Sequence, residues 1–292
     1  MHKSSHRPLP EALQDKTTRL RELMESAESL LIAFSGGVDS TFLVRIAHDV
    51  LGDKAVAVTA RSNIYPAFEY ADAVAITQRI GIRHLTLDTH ELDTAAFRNN
   101  PTNRCYHCKK NLFGRLIDMA RDLNLARVAD GSNADDANDI RPGMRATREL
   151  GVMSPLKEAG WRKDDIRMAS RCLGLPTWNK PSCACLASRF PYGQPITEKG
   201  LAQIAQAEAS LRDLGFGQVR VRHHGPTARI EILATAIPHL MNEALRRQVV
   251  SRLKSLGYTY VTLDLEGYRT GSMNEVIAGE QRDVPPLDGN AS

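Results

Sequence analysis

The sequence predicts an α/β protein: a doubly wound parallel sheet in the first half, followed by a smaller α+β domain. Two observations lead to this prediction. In the first half, four short apolar segments alternate with longer segments of helical periodicity, which is the β-α-β-α order of a parallel sheet with helices on both faces. After residue 175, four prolines between Pro176 and Pro195 interrupt the chain, and alternating strand patterns follow.

Each element of the first half has its own signal. Strands are predicted at residues 29–34, 55–59, 84–87 and 126–129. The first of them is a continuous apolar run, which is typical of a parallel strand buried on both faces. Helices are predicted at residues 10–28, 40–51, 66–80 and 103–124. Gly52 and Gly81 follow two of these helices, at the position where glycine most readily ends a helix.

The second half predicts a small α+β domain. A helix at 197–214 begins after a favourable N-cap residue, Thr197. Strands at 217–223 and 228–232 are separated by a His-Gly-Pro turn, and a helix at 241–256 leads into a strand at 258–263. The predicted domains are therefore residues 1–175 and 176–280, with a disordered tail at 281–292.

Composition restricts the class of protein. With 42% hydrophobic and 25% charged residues, the chain has the composition of a folded globular protein. Its apolar runs are far shorter than the ~20 residues of a membrane span, and its first residues contain no apolar signal core, so we expect a cytoplasmic protein. The net charge of +4 fits an ordinary mixed surface or a preference for phosphate-bearing ligands, and no dense block of Lys and Arg indicates a nucleic-acid-binding arm.

The five cysteines are confined to the middle of the chain. In a chain of this length, clustered cysteines indicate metal binding or thiol chemistry rather than a disulfide framework. Cys105 and Cys108 form a C-x-x-C pair, and Cys183 and Cys185 form a C-x-C pair. Three kinds of site fit the first pair: a redox dithiol, a zinc site that includes His107, or an iron–sulfur cluster.

The strongest chemical signal is a hexapeptide that follows the first predicted strand and opens a helix: Ser35-Gly36-Gly37-Val38-Asp39-Ser40. Ligands of open α/β sheets bind at this edge. The two glycines allow the backbone to approach an anion, and free amides at the helix start point towards it. Ser35 and Ser40 add hydroxyl donors, and Asp39 is a candidate catalytic residue because its carboxylate can hold Mg²⁺ against a pyrophosphate. A tight turn without function is the competing interpretation.

This hexapeptide resembles the PP-loop of the ATP pyrophosphatase superfamily, and it lacks the Gly-Lys-Ser/Thr ending of a Walker A loop. The resemblance implies that ATP is cleaved between its α and β phosphates, so that the substrate becomes an adenylate from which a nucleophile displaces AMP. It also implies ATP contacts just past the second and fourth strands, although the acidic run after Gly131 equally fits a solvated loop. The expected ATP-binding residues are Ala33, Ser35, Gly36, Gly37, Asp39, Ser40, Thr59, Ala60, Ser62, Asp130 and Gly131.

Three further stretches narrow the resemblance: residues 178–193, which contain Cys183 and Cys185, residues 219–224 with 228–231, and residues 260–265 with 267–274. Together with the hexapeptide, they resemble the LarE family over about residues 20–274. LarE proteins are ATP-dependent sulfur transferases of nickel-pincer nucleotide biosynthesis. The resemblance implies that the carboxylates of pyridinium-3,5-biscarboxylic acid mononucleotide are adenylated and that sulfur then replaces AMP to give thiocarboxylates. It also implies a homo-oligomer.

Two branches of the LarE family differ in their source of sulfur. One sacrifices a cysteine sulfur and is left with dehydroalanine. The other holds a 4Fe–4S cluster with three cysteines, and its fourth iron can bind a sulfide. The C-x-x-C pair suggests the second branch, with Cys105, Cys108 and Cys185 as ligands. Cys183 is the alternative third ligand or a persulfide relay, and both Cys183 and Cys185 are candidate catalytic residues.

The second half supplies candidate substrate contacts. Arg220 and Arg222 alternate on a predicted strand, so their side chains face one side, where two guanidinium groups suit a phosphate or a carboxylate. A pair of exposed strand arginines is the competing interpretation. Ser188 and Arg189 adjoin the cysteines and are expected to contact the substrate phosphate, and Arg189 is also a candidate catalytic residue.

The family resemblance further implies a metal ion near Glu208 and Glu231. His239 stands where an acidic partner is expected, which weakens this implication, and either glutamate alone also fits a solvated surface position.

Other classes of protein share parts of this pattern. A tRNA thiolase would use ATP and cysteines but would also need a basic RNA-binding surface. A synthetase of the amidotransferase type would need an ammonia source and no C-x-x-C pair, and a non-catalytic nucleotide-binding protein would not need Asp39 and Ser40. We therefore expect ATP, Mg²⁺, a small nucleotide substrate and a sulfide source, with neither a membrane nor a nucleic acid as partner.

Overall fold

The computed structural model of the chain describes residues 9–138, 142–269 and 271–272. Described residues within Met1–Phe97 and Asn103–Cys185 form one structural unit, and those within Arg98–Thr102 and Leu186–Ser292 form a second. The predicted boundary at residue 175 lies within the first unit. The predicted tail at 281–292 lies outside the described residues.

Four parallel strands form the sheet of the first unit. They are β1 (Leu30–Ala33), β2 (Ala55–Arg61), β3 (Arg83–Asp88) and β4 (Arg127–Ala129). Their order across the sheet is β3-β2-β1-β4. The registers that join them pair Leu30 with both Ala55 and Arg127, and Val56 with Arg83.

Helices connect these strands. Those from the N-terminus to Cys185 are α1 (Gln14–Ser26), α2 (Val38–Leu51), α3 (Ala67–Ile80), α4 (Ala95–Arg98), α5 (Arg104–Asp122), α6 (Pro142–Glu149), α7 (Pro155–Glu158) and α8 (Lys163–Cys172). Short 3₁₀ helices in the chain are Glu11–Leu13, Gly52–Lys54, Glu91–Asp93, Ala134–Asn138, Leu186–Arg189 and Ala234–Ala236. Gly81 has φ +86° at the end of α3, so the predicted glycine termination of this helix is confirmed.

Successive side chains of the strands point to opposite faces of the sheet, and an apolar core lies on each face. Leu30 and Ile32 belong to a core that contains Trp161 from the α7–α8 connection. Leu31 points to the opposite face and belongs to a core that contains Phe113 of α5. Because successive side chains of a strand point to opposite faces, a sheet with helices on both sides needs such doubly apolar strands. The predicted α/β fold is confirmed.

The strand order creates a crevice at one edge. From β1 the chain moves to β2 and then to β3 on one side, and it returns to place β4 on the other side of β1. The carboxyl ends of β1 and β4 therefore flank the point where the topology reverses, which is where open α/β sheets bind ligands.

The second unit is a three-stranded sheet with helices. Its strands are β5 (Val219–His224), β6 (Thr227–Ile232) and β7 (Tyr260–Leu263), and its helices are α9 (Glu198–Asp213), α10 (Ile237–Leu240) and α11 (Glu243–Ser255). Strand β6 is central, antiparallel to β5 and parallel to β7. Thr197 Oγ1 accepts a hydrogen bond from the Gly200 amide at 3.1 Å, which confirms Thr197 as the N-cap residue of α9.

Most element ends differ from the predictions by one or two residues, although α1 begins four residues later than predicted. Helix α2 begins at Val38 rather than at residue 40, because Gly37 already has the extended backbone of an N-cap residue. Strand β2 continues to Arg61, since its ladder with β3 extends to the pair Arg61–Asp88. Within the part of the chain that the structure describes, no helix is both long and apolar enough to cross a membrane.

Candidate active site

The predicted hexapeptide lies in the crevice where the sheet reverses its strand order. Gly37 caps α2, so the first amides of that helix have no carbonyl partner within the helix and can donate to an anion. Gly36 has φ +70°, and a Cβ on it would lie 3.3 Å from the Cβ of Ala73 in α3. Glycine is therefore required at this position both by backbone conformation and by space.

The loop after β4 packs against this helix start. A Cβ on Gly131 would lie 3.1 Å from the Ser40 amide nitrogen and 3.2 Å from the Ser40 Cα. The structure thus brings together two stretches that the sequence separates by about ninety residues. Their predicted contacts with ATP stay predictions.

The two serine hydroxyls of the loop face each other. Ser35 Oγ and Ser40 Oγ are 3.1 Å apart, and the Gly37 amide lies 3.4 Å from Ser35 Oγ. Ser40 Oγ also donates to the Gly37 carbonyl at 3.4 Å. These bonds within the loop hold both hydroxyls beside the free amides, where each can rotate to donate to a phosphate oxygen.

Asp39 lies in the first turn of α2 with its two oxygens in different surroundings. Oδ2 accepts from Lys163 Nζ at 2.7 Å and from Asn133 Nδ2 at 3.4 Å. Oδ1 is buried and has no hydrogen-bond partner among the described residues. A buried carboxylate oxygen with free lone pairs is the kind of ligand that Mg²⁺ prefers, so Asp39 fits the predicted magnesium role.

Sequence reasoning missed Lys163 and Asn133. Lys163 opens α8, and its amide donates to Asp135 Oδ2 at 2.8 Å. The side-chain oxygen of buried Asn133 accepts from the Asp135 amide at 2.9 Å. The acidic loop therefore orients both groups towards Asp39. The only sequence signal was the position of Asn133 within the predicted nucleotide loop.

The other predicted ATP-binding side chains are engaged within the protein. Thr59 Oγ1 lies 2.9 Å from His84 Nε2, and Ser62 Oγ donates to the Glu91 carboxylate. Asp130 is buried and accepts from Ser132 and Ser154 of neighbouring loops. These contacts fix the strand ends that border the crevice. Ala33 and Ala60, which carry no polar side chain, lie in β1 and β2 at the same edge.

Two of the cysteines act electrostatically on a third, Cys108. Cys105 and Cys108 lie in the first turns of α5, where Cys105 is exposed and Cys108 is half-buried, and Cys185 is half-buried in the irregular segment 181–185. Burial raises the pKa of Cys108, and negative charge on Cys185, Glu91 and Cys105 raises that pKa further. These groups are therefore near neighbours.

A half-buried tyrosine, Tyr65, lies beside the same thiols. Burial raises the pKa of Tyr65, and Cys108, Cys185, Glu91 and Cys105 add to the shift. Sequence reasoning missed both Tyr65 and Glu91 because neither belongs to a recognisable motif. Across residues 9–138, 142–269 and 271–272, no group of three or more His, Cys, Asp or Glu side chains has the arrangement needed to hold a metal ion.

Glu208 lies fully buried in the second unit and is surrounded by donors. Arg189 Nε and Nη2 donate to its two oxygens at 2.7 and 3.1 Å. Arg212 Nη2 adds a bond of 2.9 Å, and the Val221 amide adds one of 3.1 Å. A metal ion at Glu208 would have to displace these donors. Arg189, a predicted catalytic residue, is itself completely buried where it pairs with Glu208.

Glu231 is also engaged by arginines. Arg222 Nε and Nη2 donate to its carboxylate at 2.8 and 2.6 Å, and Arg229 Nη2 donates at 3.1 Å. Arg222 Nη1 also donates to the Ser188 carbonyl at 2.9 Å. The substrate-phosphate role of Arg222 and Ser188 stays a prediction. The surface interpretation of the two glutamates is wrong, since both side chains are buried.

Arg220 and Arg222 are both buried, which shows that the interpretation of exposed strand arginines is wrong. The guanidinium of Arg220 lies 5.2 Å from the centre of the Tyr268 ring, and its Nη1 donates to the Val219 carbonyl at 2.8 Å. Sequence reasoning placed both arginines on one strand, and it missed the aromatic contact because Tyr268 lies far along the chain.

The fold and the loop at its topological switch point define a nucleotide-binding protein of the PP-loop ATP pyrophosphatase class. Residues 13–127 match the family model described as NAD synthase. An uncharacterized protein of Synechocystis sp. is 44% identical over 91% of this chain and 99% of its own length. The pyridinium-3,5-bisthiocarboxylic acid mononucleotide synthase of Lactiplantibacillus plantarum is 39% identical over 92% of this chain and 97% of its own. An uncharacterized protein of Methanocaldococcus jannaschii is 28% identical over 83% and 92%. The chain belongs to the LarE family.

Proposed function

We propose that this chain is an ATP-dependent sulfur transferase. It adenylates the carboxylates of pyridinium-3,5-biscarboxylic acid mononucleotide and replaces AMP with sulfur, which gives thiocarboxylates for nickel-pincer nucleotide biosynthesis. The observation that carries this proposal is the 39% identity to a pyridinium-3,5-bisthiocarboxylic acid mononucleotide synthase, which extends over 92% of this chain. The glycine-containing loop, which includes Asp39, supplies a site for the triphosphate.

In the first step, a substrate carboxylate oxygen attacks the α-phosphorus of ATP. The bond from that phosphorus to the bridging oxygen breaks, and pyrophosphate leaves with the electron pair. The free amides at the start of α2 and the hydroxyls of Ser35 and Ser40 donate to phosphate oxygens, which stabilises the charge that develops on them. Asp39 would hold Mg²⁺ through its buried Oδ1, and the ion would supply positive charge that neutralises the leaving pyrophosphate.

In the second step, a sulfur nucleophile attacks the carbonyl carbon of the adenylate. The bond between that carbon and the AMP oxygen breaks, and AMP leaves with the electron pair. If Cys185 supplied its own sulfur, its Cβ–Sγ bond would break with loss of the Cα proton, which would leave dehydroalanine. If hydrosulfide came from a separate sulfide source, the cysteines would survive each turnover.

We favour the route that preserves the cysteines. Cys105 and Cys185 both lie close enough to Cys108 to act on its charge, and thiolates are the usual protein ligands of iron–sulfur clusters. If a 4Fe–4S cluster were bound, these three cysteines would hold it, and the cluster would supply the site at which sulfide binds. Cys185 is preferred to Cys183 as the third ligand because the stretch from Ala184 to Arg189 is the part of this segment that best fits the LarE family.

A pyrophosphate-release assay tests the overall proposal. The protein is given ATP, Mg²⁺ and hydrosulfide with one of three acceptors: pyridinium-3,5-biscarboxylic acid mononucleotide, nicotinic acid mononucleotide or bulk tRNA. We expect rapid release of pyrophosphate with the biscarboxylate alone, together with the mass increase of an oxygen-to-sulfur replacement. Release that depends on tRNA and ignores the biscarboxylate would replace this proposal with a tRNA thiolase.

Anaerobic visible spectra test the cluster. We expect broad charge-transfer absorption in the native protein that is lost in Cys105→Ala and Cys185→Ala. The matched control is Cys172→Ala, which changes the last residue of α8 and should keep the absorption. A colourless anaerobic protein with stoichiometric zinc would contradict the cluster, and a dehydroalanine mass after turnover would favour the sacrificial route.

The proposal also includes a cytoplasmic location and a homo-oligomer. The cytoplasmic location rests on the shortness of the apolar runs in the sequence, and the homo-oligomer rests on the LarE resemblance. Light scattering during size-exclusion chromatography measures the oligomeric state, and a monomer at micromolar concentration would contradict it.

A further inference from the structure

We propose that Lys180 and Arg167 are positioning residues that couple the ATP-binding loop to the cysteine-bearing segment 181–185, so that the adenylate is captured by sulfur before water reaches it. This inference rests on the proposed function and assigns a role to two residues outside the loop and outside the cysteines.

Lys180 connects three elements of the first unit. Its Nζ donates to the Gly36 carbonyl at 3.3 Å, to Glu69 Oε2 at 2.8 Å and to Asp72 Oδ2 at 3.0 Å. Glu69 and Asp72 lie on α3, whose Ala73 also contacts the Gly36 position. The ammonium group therefore ties the conformation of the loop to the start of the segment that carries Cys183 and Cys185.

The charge of Lys180 is secured by its surroundings. Burial alone would lower its pKa, but the hydrogen bonds to Glu69 and Asp72 outweigh burial, and the pKa of Lys180 is raised. The ammonium group thus stays protonated at neutral pH, and its three donors match the three acceptors that surround it.

Helix α8 holds the same segment from its backbone. Arg167 Nη1 donates to the Trp178 carbonyl at 3.0 Å, and its Nη2 donates to the Lys180 carbonyl at 3.2 Å. Arg171 lies over the Trp178 ring at 5.0 Å. Residues 163, 167 and 171 are four apart, so they share one face of α8. Lys163 on that face grips Asp39.

The two attachments lie on opposite sides of one residue. The Lys180 side chain reaches the ATP-binding loop, while its carbonyl is held by α8, which also reaches that loop through Lys163. Pro181 follows and restricts Lys180 to an extended conformation. Cys183 is three positions and Cys185 five positions further along the chain than Lys180. A displacement of this anchor therefore displaces the thiols. Misplacement of a reacting group by ~1 Å can lower its reaction rate ~100-fold, and the reaction here is the attack of sulfur on the adenylate.

The test is the ratio of thiocarboxylate formed to pyrophosphate released, measured with ATP, Mg²⁺, hydrosulfide and pyridinium-3,5-biscarboxylic acid mononucleotide. We expect Lys180→Met and Arg167→Met to lower this ratio ~10-fold or more, because adenylate is lost to hydrolysis. In Arg167→Met the rate of pyrophosphate release should change by less than ~3-fold, because the Arg167 guanidinium bonds the Trp178 and Lys180 carbonyls rather than the loop. Lys180→Arg, which keeps the charge and the donors, should restore the ratio.

Lys16→Met is the matched control. Lys16 also forms a 2.7 Å ion pair with α8, through Asp165, and this pair involves neither the loop nor the cysteine segment. Thermal unfolding of all variants identifies any that fail to fold, and Arg167→Met tests the coupling without exposing Glu69 and Asp72.

An unchanged ratio in both Lys180→Met and Arg167→Met would overturn the coupling, and so would an equal fall of the ratio in Lys16→Met. If the native protein releases no pyrophosphate with the biscarboxylate, the proposed function fails and this inference fails with it. A normal native enzyme with unaltered coupling in the variants overturns this inference alone.

Discussion

Lys163 Nζ lies 2.7 Å from Asp39 Oδ2, so the acid at the start of α2 is held by a lysine 124 residues further along the chain. The pair neutralises one oxygen of the carboxylate and leaves Oδ1 buried without a hydrogen-bond partner among the described residues. Such an oxygen costs free energy until a cation or a donor satisfies it. We expect Mg²⁺ bound with ATP to do so.

Asp39→Asn should abolish most of the pyrophosphate release. The amide keeps the size of the side chain but removes the anionic oxygen, so we expect a fall of ~100-fold or more in kcat/KM for Mg-ATP. The matched control is Asp49→Asn on the same helix, because Asp49 pairs with Arg45 away from the loop. Asp49→Asn should keep normal kinetics. Normal turnover in Asp39→Asn would remove Asp39 from the mechanism.

Gly131→Ala should damage both the fold and the site. The added Cβ would lie 3.1 Å from the Ser40 amide nitrogen, and backbone must shift to relieve this contact. We expect a loss of ~1–3 kcal/mol in the free energy of unfolding and weaker binding of ATP, measured by urea titration and calorimetry.

Gly114→Ala provides the comparison for that variant. Gly114 lies inside α5, and a Cβ added to it would meet no group within 4 Å beyond the backbone of its own helix. Alanine should raise the free energy of unfolding by ~0.5–1 kcal/mol, because glycine is the less favourable residue in a helix interior. Unaltered ATP affinity in Gly131→Ala would show that the loop after β4 does not shape the nucleotide site.

Glu208→Gln should destabilise the second unit. The substitution leaves the completely buried Arg189 guanidinium without its counter-ion, which costs ~3–5 kcal/mol in the free energy of unfolding. Glu243→Gln, at an exposed pair with Arg247, should cause no measurable change. Loss of activity in Glu208→Gln with unchanged stability would instead favour the metal role that the family resemblance implies.

His84 should make stability depend on pH. Burial lowers its pKa, and its Nε2 contacts Thr59 Oγ1 at 2.9 Å. Between the lowered pKa and the ordinary value of about 6.5, the unfolded chain binds a proton that the folded chain does not, so stability falls as the pH drops through this window. His84→Gln should remove this part of the pH dependence in urea titrations, whereas the exposed His90→Gln should retain it. An identical pH dependence in the native protein and His84→Gln would contradict this role.

Local sequence patterns predicted the fold because strand and helix formation depend on the size, polarity and backbone freedom of residues that are close together in the chain. Apolar runs marked β1 to β4, and the positive φ at Gly36 follows from a turn that few other residues can adopt. The sequence also placed Ser35, Asp39 and Ser40 at the crevice through their position after the first strand. Element ends moved by about two residues because the hydrogen-bond ladder with a neighbour decides where a strand stops.

Contacts between residues that are far apart in the chain could not be predicted from the sequence. Arg220 and Arg222 were recognised as a pair on one strand, but their burial depends on β6 and on Tyr268, which pack against them only in the folded chain. The pairing of Glu208 with Arg189 was missed for the same reason. A charged residue in a sequence is most often exposed, and only its three-dimensional neighbours show that it is buried and paired.

The sequence by itself determined the order of strands and helices along the chain, the glycine-containing loop after β1 and the grouping of the cysteines in the middle of the chain. Those features depend on side-chain size, periodicity and backbone freedom, which each stretch of chain carries with it. Tertiary structure alone decided that Lys163 meets Asp39, that Lys180 meets Gly36, and that Glu208 is enclosed by arginines. Such pairs form because packing of the apolar cores brings polar groups from distant parts of the chain together. No local sequence pattern shows which of these groups become neighbours.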